Sequence, residues 1–179
     1  MQYKSYYQSP LGEILLAADE LGSSGLWFVV QKYFASRLRS DSQEQELPIF
    51  EQTKDWLDLY FSGKKPDFTP TLHPEGSDFQ LRVWKLLRKV PYGSIITYGE
   101  IAAQATTGYP GAGRGSARAV GGAVGHNPIS ILIPCHRVIG VNGSLTGYAG
   151  GIERKKALLK LERGDIEPLL ISKKSSSSD

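Results

Sequence analysis

Sulfur is almost missing from this chain, which holds one cysteine, Cys135, and one methionine, Met1. A single cysteine excludes an internal disulfide. Only three histidines accompany it, so no spaced Cys/His zinc motif can be written, and neither a metal nor another cofactor is expected. Long apolar runs are missing as well. No stretch approaches the ~20 residues that cross a bilayer, and the opening M-Q-Y-K-S-Y-Y lacks the apolar segment of a secretory signal. No membrane partner is expected, and the expected location is the cytoplasm, on the nucleoid in a prokaryote, or the nucleus in a eukaryote. What remains, 179 residues of which 40% are hydrophobic, suffices for one large core or two small ones.

Acid is scarce in the second half. Ser77 to Arg163 carries 12 Lys/Arg against 4 Asp/Glu, a balance of +8, whereas Met1 to Gly76 carries 7 against 11, a balance of −4. This asymmetry points the second half toward a polyanion such as nucleic acid. By composition alone, a solvated basic face would look the same.

The first 30 residues alternate and break like a β-meander, with strands over Gln2–Gln8, Glu13–Ala18 and Gly25–Val30 separated by Ser9-Pro10-Leu11-Gly12 and Asp19-to-Gly22 turns. Pro48 then opens a helix with Phe50, Leu57 and Phe61 on one face, closed by Gly63, which should cover the sheet. Lys64 to Gly76, with three prolines, crosses the surface and ends in a linker over 71–76. Ser77 and Gln80 form an S-x-x-Q capping box for a helix over 78–90, with Phe79, Val83, Leu86, Leu87 and Val90 on one face and Pro91 as its stop. Thr97 and Glu100 repeat the device as T-x-x-E and start a short helix, Tyr98 to Ala105.

A loop, Gly108 to Gly115, leads to Ser116, which can cap a third helix over Ala117–His126. The outcome is helix, turn, helix. The third helix, A-R-A-V-G-G-A-V-G-H, has glycines that each cost ~1 kcal/mol of helix stability against Ala. Its small residues permit close approach of another surface, which could be DNA or the protein's own core. Asn127-Pro128 ends it. Ile129 to Ile133 then reads as a buried strand, stopped by Pro134, which has no N–H for a ladder. Farther on, Val141-Asn142-Gly143-Ser144 reads as a hairpin turn, Leu145 to Gly151 as a loop, and Ile152 to Glu162 as the last helix, ending at Gly164. Residues 165–179 read as a disordered tail.

Cys135 sits where the chain leaves that expected strand, followed by an imidazole, His136, and a guanidinium, Arg137. Neighbouring positive charge lowers a thiol pKa from ~8.5 and raises the fraction of nucleophilic thiolate. A lone cysteine is otherwise most often a small buried hydrophobe.

The run I-L-I-P-C-H-R-V behind Asn127-Pro128 resembles the active site of the O6-alkylguanine-DNA alkyltransferases, also called methylated-DNA-protein-cysteine methyltransferases, and the resemblance extends from Ser77 to Glu162. It implies a DNA repair protein that moves an alkyl group from O6 of guanine, or O4 of thymine, irreversibly onto Cys135, once per molecule. It implies that His136 acts through a water as the base, oriented by Glu162. Tyr98, in I-T-Y-G-E-I-A, matches the residue that donates to N3 of the leaving guanine. Tyr148, in G-Y-A-G-G, matches the tyrosine lying over the flipped base, and backbone N–H groups of Ala149 and Gly150 are suited to O6. Human-type members carry serine where this chain has Ala149. Pro134 and Val138 line the same pocket. Arg118, which precedes A-V-G-G as the nearby Arg114 does not, matches the finger that takes the place of the extruded base, an extrusion costing a few kcal/mol. Ser116, Ala117, Ala119, Gly121, Gly122 and Arg137 are the further DNA contacts implied, in the minor groove, where sequence is poorly distinguished. Asn127 matches the hinge between recognition helix and active-site segment.

The expected fold class is therefore α/β of the α+β kind. An N-terminal three-stranded antiparallel sheet with a covering helix (1–70) is joined through 71–76 to a mainly helical helix-turn-helix domain (77–164) that carries the cysteine. The expected partner is double-stranded DNA containing O6-alkylguanine, bound by a monomer, with cooperative binding as the alternative. Three other readings compete. A thiol hydrolase using Cys135, His136 and Glu162 would turn over many times. A lesion sensor of the alkyltransferase-like kind would have its cysteine replaced. A plain helix-turn-helix regulator would need no thiol.

Overall fold

In a computed structural model the protein is described over residues 1–107, 117–145 and 147–166. The chain divides into two compact units, Met1–Gly76 with Pro128–Leu132, and Ser77–Asn127 with the chain from Ile133. The second sequence-expected domain thus lends five residues to the contacts of the first unit.

The first unit is a sheet in the order β3-β2-β1-β4, built from β1 (Tyr3–Ser9), β2 (Gly12–Asp19), β3 (Gly22–Phe28) and β4 (Gln43–Glu44). The expected meander is present: β1–β2 and β2–β3 are antiparallel, and β4 adds two residues parallel to β1. The side chain of Asp19 accepts from the backbone N–H of Leu21 and Gly22, which fixes the second turn. Because residues alternate across a strand, burying all of Ile14 to Ala18 requires cover on both faces. Helix α1 (Pro48–Phe61) packs across β1, β2 and β3 with Phe50, Thr53, Trp56, Leu57 and Tyr60 buried. Ala35 and Leu38 pack on Leu15, Ala17 and Trp27.

The expected linker is not a free connection. Thr71 O accepts from Ser23 N at 2.8 Å and His73 N donates to Ser23 O at 2.7 Å, so this stretch pairs with β3. Pro128 O accepts from Leu26 N at 2.8 Å and Ser130 N donates to Leu26 O at 3.0 Å, so β3 also pairs with the 128–130 segment.

The second unit packs α2 (Asp78–Leu87), α3 (Tyr98–Thr106) and α4 (Ala117–Gly125) against one another. Both expected capping boxes are formed, Ser77 with Gln80 and Thr97 with Glu100, and each cap contributes about 1 kcal/mol. Helix α2 is shorter than expected, ending at Leu87. Its Trp84 ring is buried and donates from Nε1 to Ala123 O at 2.8 Å, tying α2 to α4. Strands β5 (Ile96–Thr97) and β6 (Val138–Ile139) pair in parallel, and α5 (Ile152–Arg163) packs on the 3₁₀ turn Cys135–Arg137. The expected turn at Val141–Ser144 is present, closed by Gly140 N to Ser144 O at 2.8 Å, but it joins no hairpin, because β6 pairs with β5 instead. The Gly108–Gly115 loop, Ser116 and the tail beyond Ile166 lie outside the described residues.

Candidate active site

The approach to Cys135 is not a strand. Only Ile129 makes a bridge, to Leu26, and Leu132 N then donates to Ser130 O at 2.8 Å around Ile131, whose φ is 70°. That is a γ-turn of the rare, strained hand, on a β-branched residue. Positive φ in such a residue stores about 1–3 kcal/mol, and the 1% exposure of Ile131 shows what holds it there, its own burial. A second γ-turn follows, of the relaxed hand, with Pro134 at φ −80° and ψ 64°. In it Ile133 O accepts from Cys135 N at 2.8 Å and also from Asn127 Nδ2 at 2.8 Å. A β-branched run reads as a strand by composition. Here the pairing with β3 ends at Ser130, whose amide donates to Leu26 O, because the next turn sends Leu132 N back to Ser130 O.

Glu162 organises the next two side chains. Its Oε2 lies 2.5 Å from His136 Nε2, and its Oε1 accepts from Arg137 Nε at 2.8 Å and from Gly93 N at 3.1 Å. The side chains of His136 and Glu162 have no exposure. Although burial acts against it, the Glu162 carboxyl is held well below the usual carboxylate range by its bonds to His136 and Arg137. Burial is also the largest influence on His136 and pushes its pKa down, against the pull of Glu162. The imidazole is therefore neutral, with Nε2–H donating to the carboxylate and Nδ1 left as the basic nitrogen.

This arrangement corrects two expectations. Arg137 is buried, and its Nη1 donates to Val90 O at 2.7 Å in addition to the Glu162 bond, so its side chain serves as an internal strut and not as the exposed cation expected. Nor do the side chains of His136 and Arg137 acidify the thiol, although the backbone N–H of His136 pulls its pKa down. Cys135 is 4% exposed, and burial pushes its pKa up, opposed by a hydrogen bond from Asn127 and the charge of Lys155.

Lys155 was not anticipated from the sequence. It is fully buried on α5, and its Nζ donates to Val138 O and lies 5.9 Å from the Tyr98 ring centroid. One signal could have found it: Lys155, Leu159 and Glu162 fall at helical spacing on one face, so a lysine shares the buried side of α5.

Tyr98, at the start of α3, has its pKa pushed up to about 12, first by burial and then by Cys135. Gly147 has φ 90°, and a Cβ there would stand 2.8 Å from Tyr98 Oη; at Gly150 a Cβ would stand 2.6 Å from the Tyr148 ring. The loop glycines thus let the backbone close on both phenols. Tyr148 is 7% exposed and Ala149 is half-buried; Pro134 and Val138 are buried.

On α4, Ala117, Arg118, Ala119 and Gly122 are exposed and Gly121 is half-buried. A Cβ on Gly121, Gly122 or Gly125 would meet nothing within 4 Å. Among the described residues nothing packs on these glycines, which leaves their face open to an external surface. Ser116 and Arg114 lie outside the described residues. Away from this site, Asp19, His73 and Glu75 gather possible metal-ligand atoms within 4.8 Å of one another, with His73 Nδ1 already 2.7 Å from Asp19 Oδ2. Among the described residues, no helix is long and apolar enough to cross a membrane.

Comparison with known proteins accounts for both halves of the chain. Residues 2–74 match the ribonuclease-like domain, and residues 78–164 the DNA-binding domain, of 6-O-methylguanine DNA methyltransferase. The methylated-DNA–protein-cysteine methyltransferase of Mycobacterium tuberculosis is 48% identical over 155 residues, 87% of this chain and 88% of its own. That of Methanosarcina acetivorans is 45% identical over 160 residues, 89% of this chain and 97% of its own. The crystal structure of the M. tuberculosis O6-methylguanine methyltransferase superimposes with a TM-score of 0.77 at 44% identity, covering 96% of this chain and 99% of that one. The M. tuberculosis OGT solved in complex with DNA does so with a TM-score of 0.77 at 43% identity, covering 94% and 99%. With matches of this extent at both the sequence and the fold level, the chain belongs to the 6-O-methylguanine DNA methyltransferase family.

Proposed function

We propose that this protein repairs DNA by transferring the alkyl group of O6-alkylguanine to Cys135, as a monomer acting once on double-stranded DNA in the cytoplasm. One observation carries the assignment of the acceptor. The only thiol in the chain opens a turn whose next residue, His136, is sealed against an ionised Glu162.

In this reading His136 Nδ1, kept basic by the Nε2–Glu162 bond, takes the Cys135 proton through a water. The thiolate attacks the alkyl carbon, an S–C bond forms as the C–O6 bond breaks, and the electron pair leaves on guanine. Tyr98 hydrogen-bonds N3 of the departing base; with its pKa near 12 it holds its proton at neutral pH and so serves as a donor. Backbone N–H groups at Ala149 and Gly150 receive O6 while Tyr148 lies over the ring. Asn127 fixes the nucleophile by holding Ile133 O, the carbonyl that also binds the amide of Cys135. The open face of α4 enters the minor groove, with Ala117, Ala119, Gly121 and Gly122 against the backbone and Arg118 inserted where the base was. The sheet unit is structural. Nothing in the pocket cleaves a thioether, so the modification stays.

Mass spectrometry after incubation with O6-methylguanine DNA tests the reading. One methyl group on Cys135 per molecule is expected, and none in Cys135→Ser; an unmodified Cys135 peptide overturns it, and many products per molecule would favour hydrolysis. Arg118→Ala should slow repair in duplex DNA more than reaction with free O6-benzylguanine, and equal losses would remove the extrusion role.

A further inference from the structure

We propose that Lys155 is the counter-cation of the Cys135 thiolate, a positioning residue whose buried ammonium supplies the positive charge that the adjacent imidazole and guanidinium do not. The inference rests on Cys135 being the alkyl acceptor. Arg137 is engaged by Glu162 and Val90 O, and His136 by Glu162. Glu162 is in turn engaged by His136, Arg137 and Gly93 N, and its ion pairs among the described residues are with His136 and Arg137.

Lys155 lies two turns before Glu162 on α5, fully buried, and among the described residues no carboxylate forms an ion pair with it. An ammonium has three donors. One goes to Val138 O, and the ring of Tyr98 stands 5.9 Å away. A buried cation without an anion is costly. Val138 lies three residues past Cys135 and α5 packs on the turn that Cys135 opens, so the group on that turn that can become an anion is the sulfur of Cys135. Among the described residues, the titratable groups that interact with Lys155 are Cys135 and His136 from the 3₁₀ turn and Tyr98 from α3.

The acid–base properties agree with the geometry. Burial pushes Lys155 down to about 8, and Cys135 pulls it back up. The influence is mutual, since the charge of Lys155 lowers the pKa of Cys135. The two groups titrate as a pair. At low pH the pair holds two protons, one on sulfur and one beyond the neutral amine on nitrogen. Activation removes a single proton, to His136 or to solvent, and leaves thiolate facing ammonium.

The test uses the full chain without DNA, so it does not depend on which base is repaired. The pH dependence of thiolate ultraviolet absorbance, with Cys135→Ser as blank, and the rate of iodoacetamide addition to Cys135, read by intact mass, are measured for wild type, Lys155→Met, Lys155→Gln and Lys155→Arg. Removing the charge should raise the thiol midpoint by about one unit or more and slow alkylation at neutral pH about tenfold. Lys155→Arg should stay within about threefold of wild type, since it keeps the charge. An unmoved thiol midpoint in either neutral variant, with native circular dichroism, overturns the proposal even if methyl transfer from DNA is lost. A shifted midpoint in a protein that transfers no methyl group supports it while removing the alkyl-acceptor reading.

Discussion

The two units bury different kinds of polar group. In the sheet unit the buried polar side chains are Gln2, Ser5, Ser23, Ser24, Thr53 and Ser130, all small or uncharged, whereas the helical unit buries His136, Arg137 and Lys155 along with Asn127. The Glu162 side chain is sealed as well. The ion pairs of the sheet unit keep some exposure, as with Lys54 and Glu46, whose side chains are 27% and 56% exposed, and His73 and Asp19, at 34% and 18%. Uncharged groups are buried at little cost once hydrogen-bonded, while ions taken out of water need partners in good geometry. Among the described residues, full burial of charge is therefore confined to the unit that holds the thiol, where it keeps an imidazole neutral and a carboxylate ionised side by side.

The contrast is broken most sharply at Glu162. Glu162→Ala strands the buried guanidinium of Arg137 and is expected to cost about 3–5 kcal/mol. Glu46→Ala, which removes an exposed partner of Lys54 and of Ser5, should stay within about 1 kcal/mol. Urea denaturation of both variants checks this, and similar losses would erase the distinction. A second test concerns the backbone. Truncating Ile131 to alanine should cost about 2–5 kcal/mol in lost packing. Ile131→Gly should nevertheless be at least as stable as Ile131→Ala, although glycine ordinarily loses about 0.5–1 kcal/mol, because only glycine adopts φ 70° without strain. A less stable glycine variant would show that the turn carries no strain. The smallest effect is at Gly122, where a methyl group meets nothing among the described residues. Gly122→Ala should gain up to about 1 kcal/mol of helix stability while weakening DNA binding in a titration of duplex, and unchanged affinity would mean that this face meets no DNA.

Local grammar was the part of the fold most open to reading. Ser77/Gln80 and Thr97/Glu100 act within four residues of themselves, so their helices start where the sequence places them. The meander and Pro48 at the head of α1 are of the same kind. What escaped depends on distant partners. Ile129 to Ile133 has strand composition, but its path is set by Leu26, Asn127 and Pro134. Arg137 beside the cysteine suggested a reach toward phosphate, yet a carboxylate 25 residues away claims it. Lys155 resembled its half-buried neighbours Arg154 and Lys156 because charge usually marks a surface, and only its helical phase hinted otherwise. Within the site, the juxtaposition of Cys135, His136 and Glu162 was legible through family resemblance, whereas the protonation of each came from burial, which a sequence does not display.

The concealment of Cys135 bears on how the molecule survives before use. A reagent consumed in a single event must not be spent on stray oxidants or soluble electrophiles. A sulfur that stays protonated and shut away from water reacts slowly with such bystanders, and its lifetime in waiting is then limited by turnover of the polypeptide more than by chemistry. Repair capacity is accordingly a count of intact molecules, preserved by the same enclosure that makes the sulfur hard to reach.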